Sequence, residues 1–244
     1  MAHLEGSERA QYVQDMFARI AGRYDLMNRL MTFGQDIRWR RIVIELAQLA
    51  PSGRLLDIAT GTGEIALEGL DQTPGLQVVG GDFTIEMMQV GKRIPQRRSI
   101  RWTGADTLSL PFPDATFDAV TSGFLMRNVI DVKKAFVEQM RVTKPGGWVV
   151  VLESSPPKEN LLRPFILFHL NVIIPALGRL VTGEVEAYRY LPDSTQQFRD
   201  PQAVAMVMRQ VGYVDVSYRL FMFGTIAIHA GQKPWSEPTV RDLT

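Results

Sequence analysis

The sequence predicts a doubly wound α/β domain: a seven-stranded, mostly parallel sheet with a terminal antiparallel hairpin and helices on both faces. Three observations predict it. Apolar, strand-like runs alternate with helical stretches from residue 54 to 153, a pattern that requires right-handed crossovers and a parallel sheet. The first of these runs, 54–59, leads into a glycine turn at Gly61 and Gly63 that opens a helix. The last two, 213–220 and 225–231, are joined by so short a link, Phe221 to Gly224, that they can pair only as antiparallel neighbours.

Composition sets the frame for these elements. The chain has 244 residues, 45% hydrophobic and 22% charged, which suits one large domain. A formal net charge of +1 gives no electrostatic reason to expect nucleic acid or a strongly anionic surface as partner. The lack of cysteine excludes disulfides, cysteine-ligated zinc and a thiol nucleophile. Histidines at 3, 169 and 229 are too scattered to suggest a metal site. The polar first eight residues lack the apolar segment of a secretion signal, so a cytoplasmic enzyme is expected.

In chain order, residues 1–50 read as a helical N-terminal cap. Apolar positions recur at three and four residues over 8–20 and 36–50, and the intervening 21–34 is less regular. Residues 51–153 read as the core, with strands at 54–59, 76–81, 99–104, 117–122 and 147–153 and helices at 64–71, 84–93 and 131–142. Lys144 to Gly147 form a tight turn before the fifth strand. Residues 154–200 read as a substrate-side insertion. It holds Pro156 and Pro157, an apolar stretch at 164–178 and a polar loop around 181–195. The apolar stretch falls short of the roughly 20 residues a membrane-spanning helix needs, and His169, Asn171 and Pro175 interrupt it. It reads as a buried or half-buried helix, or as a lid or surface dipping into lipid. Residues 201–233 hold an amphipathic helix at 201–211, stopped by Gly212, and the hairpin; 234–244 read as a loose tail.

The glycine turn is the first candidate site. A side chain at Gly61 or Gly63 would keep a ligand from the backbone, and the following helix start offers unpaired N–H donors. A nucleotide-like cofactor is expected there. Gly61, Gly63 and Ala66 satisfy the dinucleotide spacing, which admits NAD and S-adenosylmethionine alike. Asp82, 19 residues after Gly63 at the end of the second strand, is placed to accept hydrogen bonds from a ribose, or to cap the next helix. Asp106 and Thr107 follow the third strand, where a polar side chain can meet an adenine amino group. These residues, the Lys144–Gly147 turn and the hairpin, whose reversed last strand is the usual plan of Class I methyltransferases with their Rossmann-like fold, favour S-adenosylmethionine.

Longer segments carry a closer resemblance. They are Met16-Phe17-Ala-Arg-Ile-Ala-Gly-Arg-Tyr24-Asp25-Leu-Met27-Asn28, Phe124-Leu-Met-Arg127-Asn128-Val, Glu138-Gln-Met-Arg141-Val-Thr-Lys-Pro-Gly-Gly and Tyr188-Arg-Tyr190-Leu191-Pro192-Asp193-Ser194, with the stretch 224–233. Over nearly its full length the chain resembles the UbiE/MenG family of quinone-biosynthesis C-methyltransferases. The resemblance implies S-adenosylmethionine contacts at Thr62 in the turn, at the ribose acid Asp82 and at Asp106 and Thr107. Gly61, Gly63 and Phe83 complete that set, together with Gly123, which stands where many members have serine. Thr60 before the turn and the segment from Glu153 to Pro157 also depart from the common pattern.

The implied reaction is methylation of a ring carbon on a polyprenylated hydroquinone. Removing a phenolic proton, whose pKa is about 10, makes that carbon nucleophilic. Arg127, effectively always protonated, is the candidate for stabilising the phenolate or positioning a water, with a structural salt bridge to the cap as the other reading. Tyr24, Asn28 and Asn128 on one side, and His169, Tyr188, Tyr190 and Ser194 on the other, are the candidate substrate wall. The expected partners are the lipophilic quinol and, transiently, a membrane surface. A homodimer stays open, and no metal is expected. A methyltransferase for another small aromatic or lipid, and more distantly an NAD(P)-dependent oxidoreductase, are the alternatives.

Overall fold

The computed structural model describes residues 6–235. Seven strands, β1 (Arg54–Ile58), β2 (Gln77–Asp82), β3 (Ile100–Gly104), β4 (Phe117–Gly123), β5 (Thr143–Ser154), β6 (Val214–Phe221) and β7 (Ile226–Gln232), lie in the order β3-β2-β1-β4-β5-β7-β6. The first five pair in parallel, and β7 runs antiparallel to both β5 and β6. Insertion between two neighbours explains why β7 is buried along nearly its whole length while the edge strand β6 is largely exposed. Strand order reverses between β1 and β4, which opens a crevice at their carboxyl ends.

Helices α4 (Glu64–Gln72), α5 (Ile85–Lys92), α6 (Val132–Val142) and α10 (Pro201–Val211) cover the sheet. Asp131 caps α6 by accepting the Lys134 N–H at 2.9 Å, and Asp200 caps α10 through Ala203 at the same distance. The two faces of the sheet carry separate cores because side chains alternate along each strand. On β5, Val149 and Val151 pack with Phe136 and Met208, whereas Val150 and Leu152 pack with Trp39 and Val43. The Lys144–Gly147 turn lies inside β5 as a bulge: Phe117 pairs with Thr143, and Ala119, two residues on, pairs with Trp148.

Three cap helices precede the sheet: α1 (Gly6–Ile20), α2 (Tyr24–Met31) and α3 (Gln35–Leu46). The stretch 21–34 is more ordered than its sequence suggests, because Met27 and Asn28 of α2 are buried. In the insertion, α7 (Arg163–Phe168) and α8 (Ile174–Val181) join through a π-helical turn, His169–Ile173, into one run of 19 residues. His169, Asn171 and Pro175 do not break it, and, contrary to the sequence reading, it is long and apolar enough by length and composition to cross a membrane. The wide turn falls just ahead of Pro175, where the ordinary hydrogen-bond ladder has to be reset in any case.

The expected polar loop at 181–195 is instead a helix, α9 (Val185–Gln197). Its apolar face, Ala187, Tyr188 and Leu191, has helical spacing, but Glu186, Arg189 and Asp193 mask it in sequence. Gly178 lets α8 approach it closely, since a Cβ there would stand 2.3 Å from the Tyr188 ring. With Met16, Ile20, Met27 and Ile174, this face forms a third core. The cap and the insertion are thereby clamped to each other at the crevice. Of the expected tail only Pro234 and Trp235 fall within the described residues, and His3 falls outside them.

Candidate active site

Two cavities open at the carboxyl ends of the strands. The first, of about 450 Å³, is walled by the glycine turn, the ends of β2, β3 and β4, and α1. The second, of about 360 Å³, lies between α2, the 163–181 helix and the ends of β5 and β7. Both fall within the ~300–1,000 Å³ typical of small-molecule sites. Tyr24 and Phe124 line both cavities and mark where they meet.

Gly61, Asp82, Phe83, Asp106, Thr107 and Gly123 line the first cavity. Gly61 has φ +57°, and a Cβ there would come within 3.2 Å of Met87 Cε. Buried Asp82 accepts the Gly61 N–H and the Thr84 N–H, each at 2.7 Å. It therefore both steadies the turn and helps start the next helix. Burial pushes its carboxyl up to about 6, against the pull of these hydrogen bonds. Asp57, buried behind it at the end of β1, is likewise pushed up to about 6 by burial. Thr107 Oγ1 is buried on the cavity wall with no hydrogen-bond partner among the described residues. Asp106 accepts the Leu108 N–H at 2.9 Å. At Gly123 a Cβ would lie 2.9 Å from Ile65 Cδ1, so Ile65 occupies the space that a serine side chain would need.

Thr62 and Gly63, expected at the cofactor, are not on the cavity wall. Thr62 Oγ1 donates to Asp25 Oδ1 at 2.6 Å. Gly63, with φ +93°, is required by packing, because a Cβ would stand 2.5 Å from the Trp102 ring.

The second cavity is lined mostly by apolar side chains, with Tyr24, Asn28, Arg127 and His169 among its polar members. Burial raises the Tyr24 phenol above its ordinary 10.0, opposed by a hydrogen bond with Asn28 and by the Arg127 charge. Arg127 is buried and ion-paired with Glu153 of β5. The salt bridge expected toward the cap therefore goes to the sheet, and the cap's own contact is Arg9 donating to the Arg127 carbonyl at 2.9 Å. The Arg127 guanidinium lies 5.1 Å from the Phe124 ring centre, and its Nε–H has no partner among the described residues. His169 Nε2 sits 3.1 Å from the Met31 carbonyl, which pins the 163–181 helix to the cap.

The remaining candidates divide. Asn128 lines the first cavity and accepts the Tyr190 hydroxyl at 3.0 Å. Tyr188, Tyr190 and Ser194 line neither cavity. Helical geometry turns Tyr188 into the third core and Ser194 Oγ onto the Leu191 carbonyl at 3.0 Å. From the same helix, Leu191, Pro192 and Thr195 face the second cavity instead. Phe124 was missed as a wall residue. Its φ of +57° is unusual for an aromatic residue, and strain of that kind collects at functional sites. At the mouth of the second cavity Phe165 is 73% exposed, and Leu161 and Leu180 are 93% and 84% exposed nearby in the chain.

The profile of the ubiE/COQ5 methyltransferase family matches residues 5–233. The ubiquinone/menaquinone biosynthesis C-methyltransferase UbiE of Desulfotalea psychrophila is 47% identical over 91% of this chain and 90% of its own. The demethylmenaquinone methyltransferase of Thermus thermophilus is 45% identical over 90% of this chain and 100% of its own. Among solved structures, a S-adenosylmethionine-dependent methyltransferase of Thermotoga maritima, a possible histamine N-methyltransferase by its description, superposes with a TM-score of 0.62. It covers 90% of this chain and 98% of its own at 17% identity, a likeness of fold alone. The cavity walls, the sheet order and these matches agree: the chain belongs to the ubiE/COQ5 methyltransferase family.

Proposed function

We propose that the chain transfers the methyl group of S-adenosylmethionine to a ring carbon of a polyprenylated hydroquinone at a membrane surface. The observation that carries this reading is the junction at Tyr24 and Phe124, where a cavity with polar groups on its wall meets an apolar one. The first cavity fits the cofactor. The Asp82 carboxylate is the acceptor for ribose hydroxyls, the unpartnered Thr107 hydroxyl is free to meet a polar group, and Gly61 leaves the turn backbone bare. When bound, S-adenosylmethionine supplies an already activated methyl group. The relatives named for ubiquinone and menaquinone biosynthesis support a quinol as acceptor.

The chain's own residues then align the ring and favour loss of its phenolic proton. Alignment of reacting groups is worth on the order of 7–11 kcal/mol in ideal cases. In this reading Arg127 stabilises the phenolate: its charge, shared with Glu153, stays in place, and its Nε–H is uncommitted. Tyr24 and Asn28 orient the head group, and the apolar wall excludes water and takes the start of the prenyl tail. The 163–181 helix leaves Phe165 and Leu180 outward, with exposed Leu161 just ahead of it and Arg163 and Arg179 near its two ends. An exposed apolar helix with basic residues near its ends is suited to contact a bilayer. In this reading the enzyme works from the membrane surface and receives its quinol from the lipid.

The test is transfer of isotopically labelled methyl from S-adenosylmethionine to demethylated menaquinol and ubiquinol precursors in vesicles. Label on a ring carbon of either is the expected result. No label on both, or label on a phenolic oxygen, overturns the proposal.

A further inference from the structure

Three carboxylates and three guanidiniums, equal in charge, tie the cap to the glycine turn. Arg97, 3% exposed, donates to the Thr62 carbonyl at 2.7 Å and pairs with Glu64. Glu64 pairs with Arg40, Arg40 with Asp36 at 3.0 Å, and Asp36 with Arg29 at 3.3 Å. At the other end stands Asp25. Its Oδ1 accepts the Thr62 hydroxyl at 2.6 Å, and its Oδ2 faces Arg97 at 3.3 and 3.4 Å.

Asp25 follows Tyr24 in the first turn of α2. Successive helical residues project about 100° apart, so one turn of helix sends Tyr24 to the junction of the cavities and Asp25 to the glycine turn. We infer that Asp25, held by Thr62 and Arg97, is a positioning residue for methyl transfer, fixing Tyr24 in register with the cofactor turn. This rests on the function proposed above, in which Tyr24 orients the acceptor ring. It also gives Thr62 a place in the chemistry, as the anchor for the cap.

Removing Asp25 strands no buried charge, because Arg97 keeps Glu64 and the Thr62 carbonyl. The effect is therefore expected in turnover and local order, with little change in folding. The experiment is a double-mutant cycle of Asp25→Ala and Tyr24→Phe in the full chain, reading kcat, melting temperature and affinity for S-adenosylhomocysteine. Asp25→Ala is expected to lower kcat ten- to about a hundred-fold, as misplacement by about 1 Å does, with the melting temperature held. In the Tyr24→Phe background the same change is expected to cost less than about threefold, because the two act as a unit. Additive losses, or a kcat within about twofold of wild type for Asp25→Ala, overturn the inference. Hydrogen exchange reads the latch without turnover. Exchange at the α2 amides of Asp25→Ala is expected to rise at least about tenfold while α4 is unchanged, and unchanged α2 exchange also overturns it. A wild-type enzyme inactive on both quinols, with α2 loosened in Asp25→Ala, defeats the proposed function and leaves the latch standing.

Discussion

Glu153→Gln removes the only carboxylate paired with Arg127 among the described residues, and its cost follows from burial. The two side chains are 4% and 1% exposed. Arg127 cannot discharge itself by losing a proton. Glutamine leaves a neutral acceptor but no counter-charge for the guanidinium, which lies 5.1 Å from the Phe124 ring centre. Breaking a buried pair from this side costs about 3–5 kcal/mol, a melting-point drop of about 6–20 °C for a chain of this length. The opposite change, Arg127→Met, is milder. Glu153 keeps the main-chain N–H of residue 127 at 3.2 Å, the Ser154 N–H at 2.7 Å and the Ser154 hydroxyl at 3.2 Å. About 1–3 kcal/mol is expected. Urea and thermal unfolding of both variants measure the asymmetry. If Glu153→Gln costs less than Arg127→Met, the carboxylate does not hold the arginine and the reasoning fails.

Three other predictions address stability against pH, the cofactor and the membrane. Asp82 and Asp57 hold protons more tightly folded (about 6) than at their ordinary 3.8, so the stability they contribute is fully present below about pH 4 and declines as pH rises through 4–6. The urea midpoint is expected to decline less over this window in Asp82→Asn. Cofactor binding to ionised Asp82 should run the other way: calorimetry should show affinity falling as pH drops below about 6, and a flat profile in Asp82→Asn. Leu161→Ser with Leu180→Ser, both far outside the core, should weaken vesicle flotation at least about tenfold, since each buried leucine contributes about 1.5–3 kcal/mol. Unchanged flotation would remove the 163–181 helix from the membrane contact.

The sheet was legible because its signals are local. Alternation, the glycine turn and a hairpin too short to cross over each act within a few residues. The wall of the first cavity was legible for the same reason: Gly61, Asp82 and Thr107 all lie at or just after strand ends, and strand ends meet at the crevice. The insertion was harder. Tyr188 and Ser194 were expected on the substrate wall because 181–195 looked like a loop, and a helix there exchanges them for Leu191, Pro192 and Thr195. Pairings over long sequence separation left no local trace. Nothing around Arg127 announces Glu153, 26 residues later, and nothing around Thr62 announces Asp25, 37 residues earlier. Phe124 gave a faint signal, as an aromatic residue directly after a strand-end glycine, but its left-handed backbone is visible only in three dimensions.

The central claim is that methyl donor and acceptor ring occupy separate cavities and meet at Tyr24 and Phe124. A crystal structure with S-adenosylhomocysteine and a short-chain quinol analogue tests it most directly. The account predicts the nucleoside against Asp82 and Thr107, the ring in the second cavity beside Arg127, and the sulfur facing the ring across the Tyr24–Phe124 junction. A ring bound in the first cavity, or a nucleoside in the second, would contradict it.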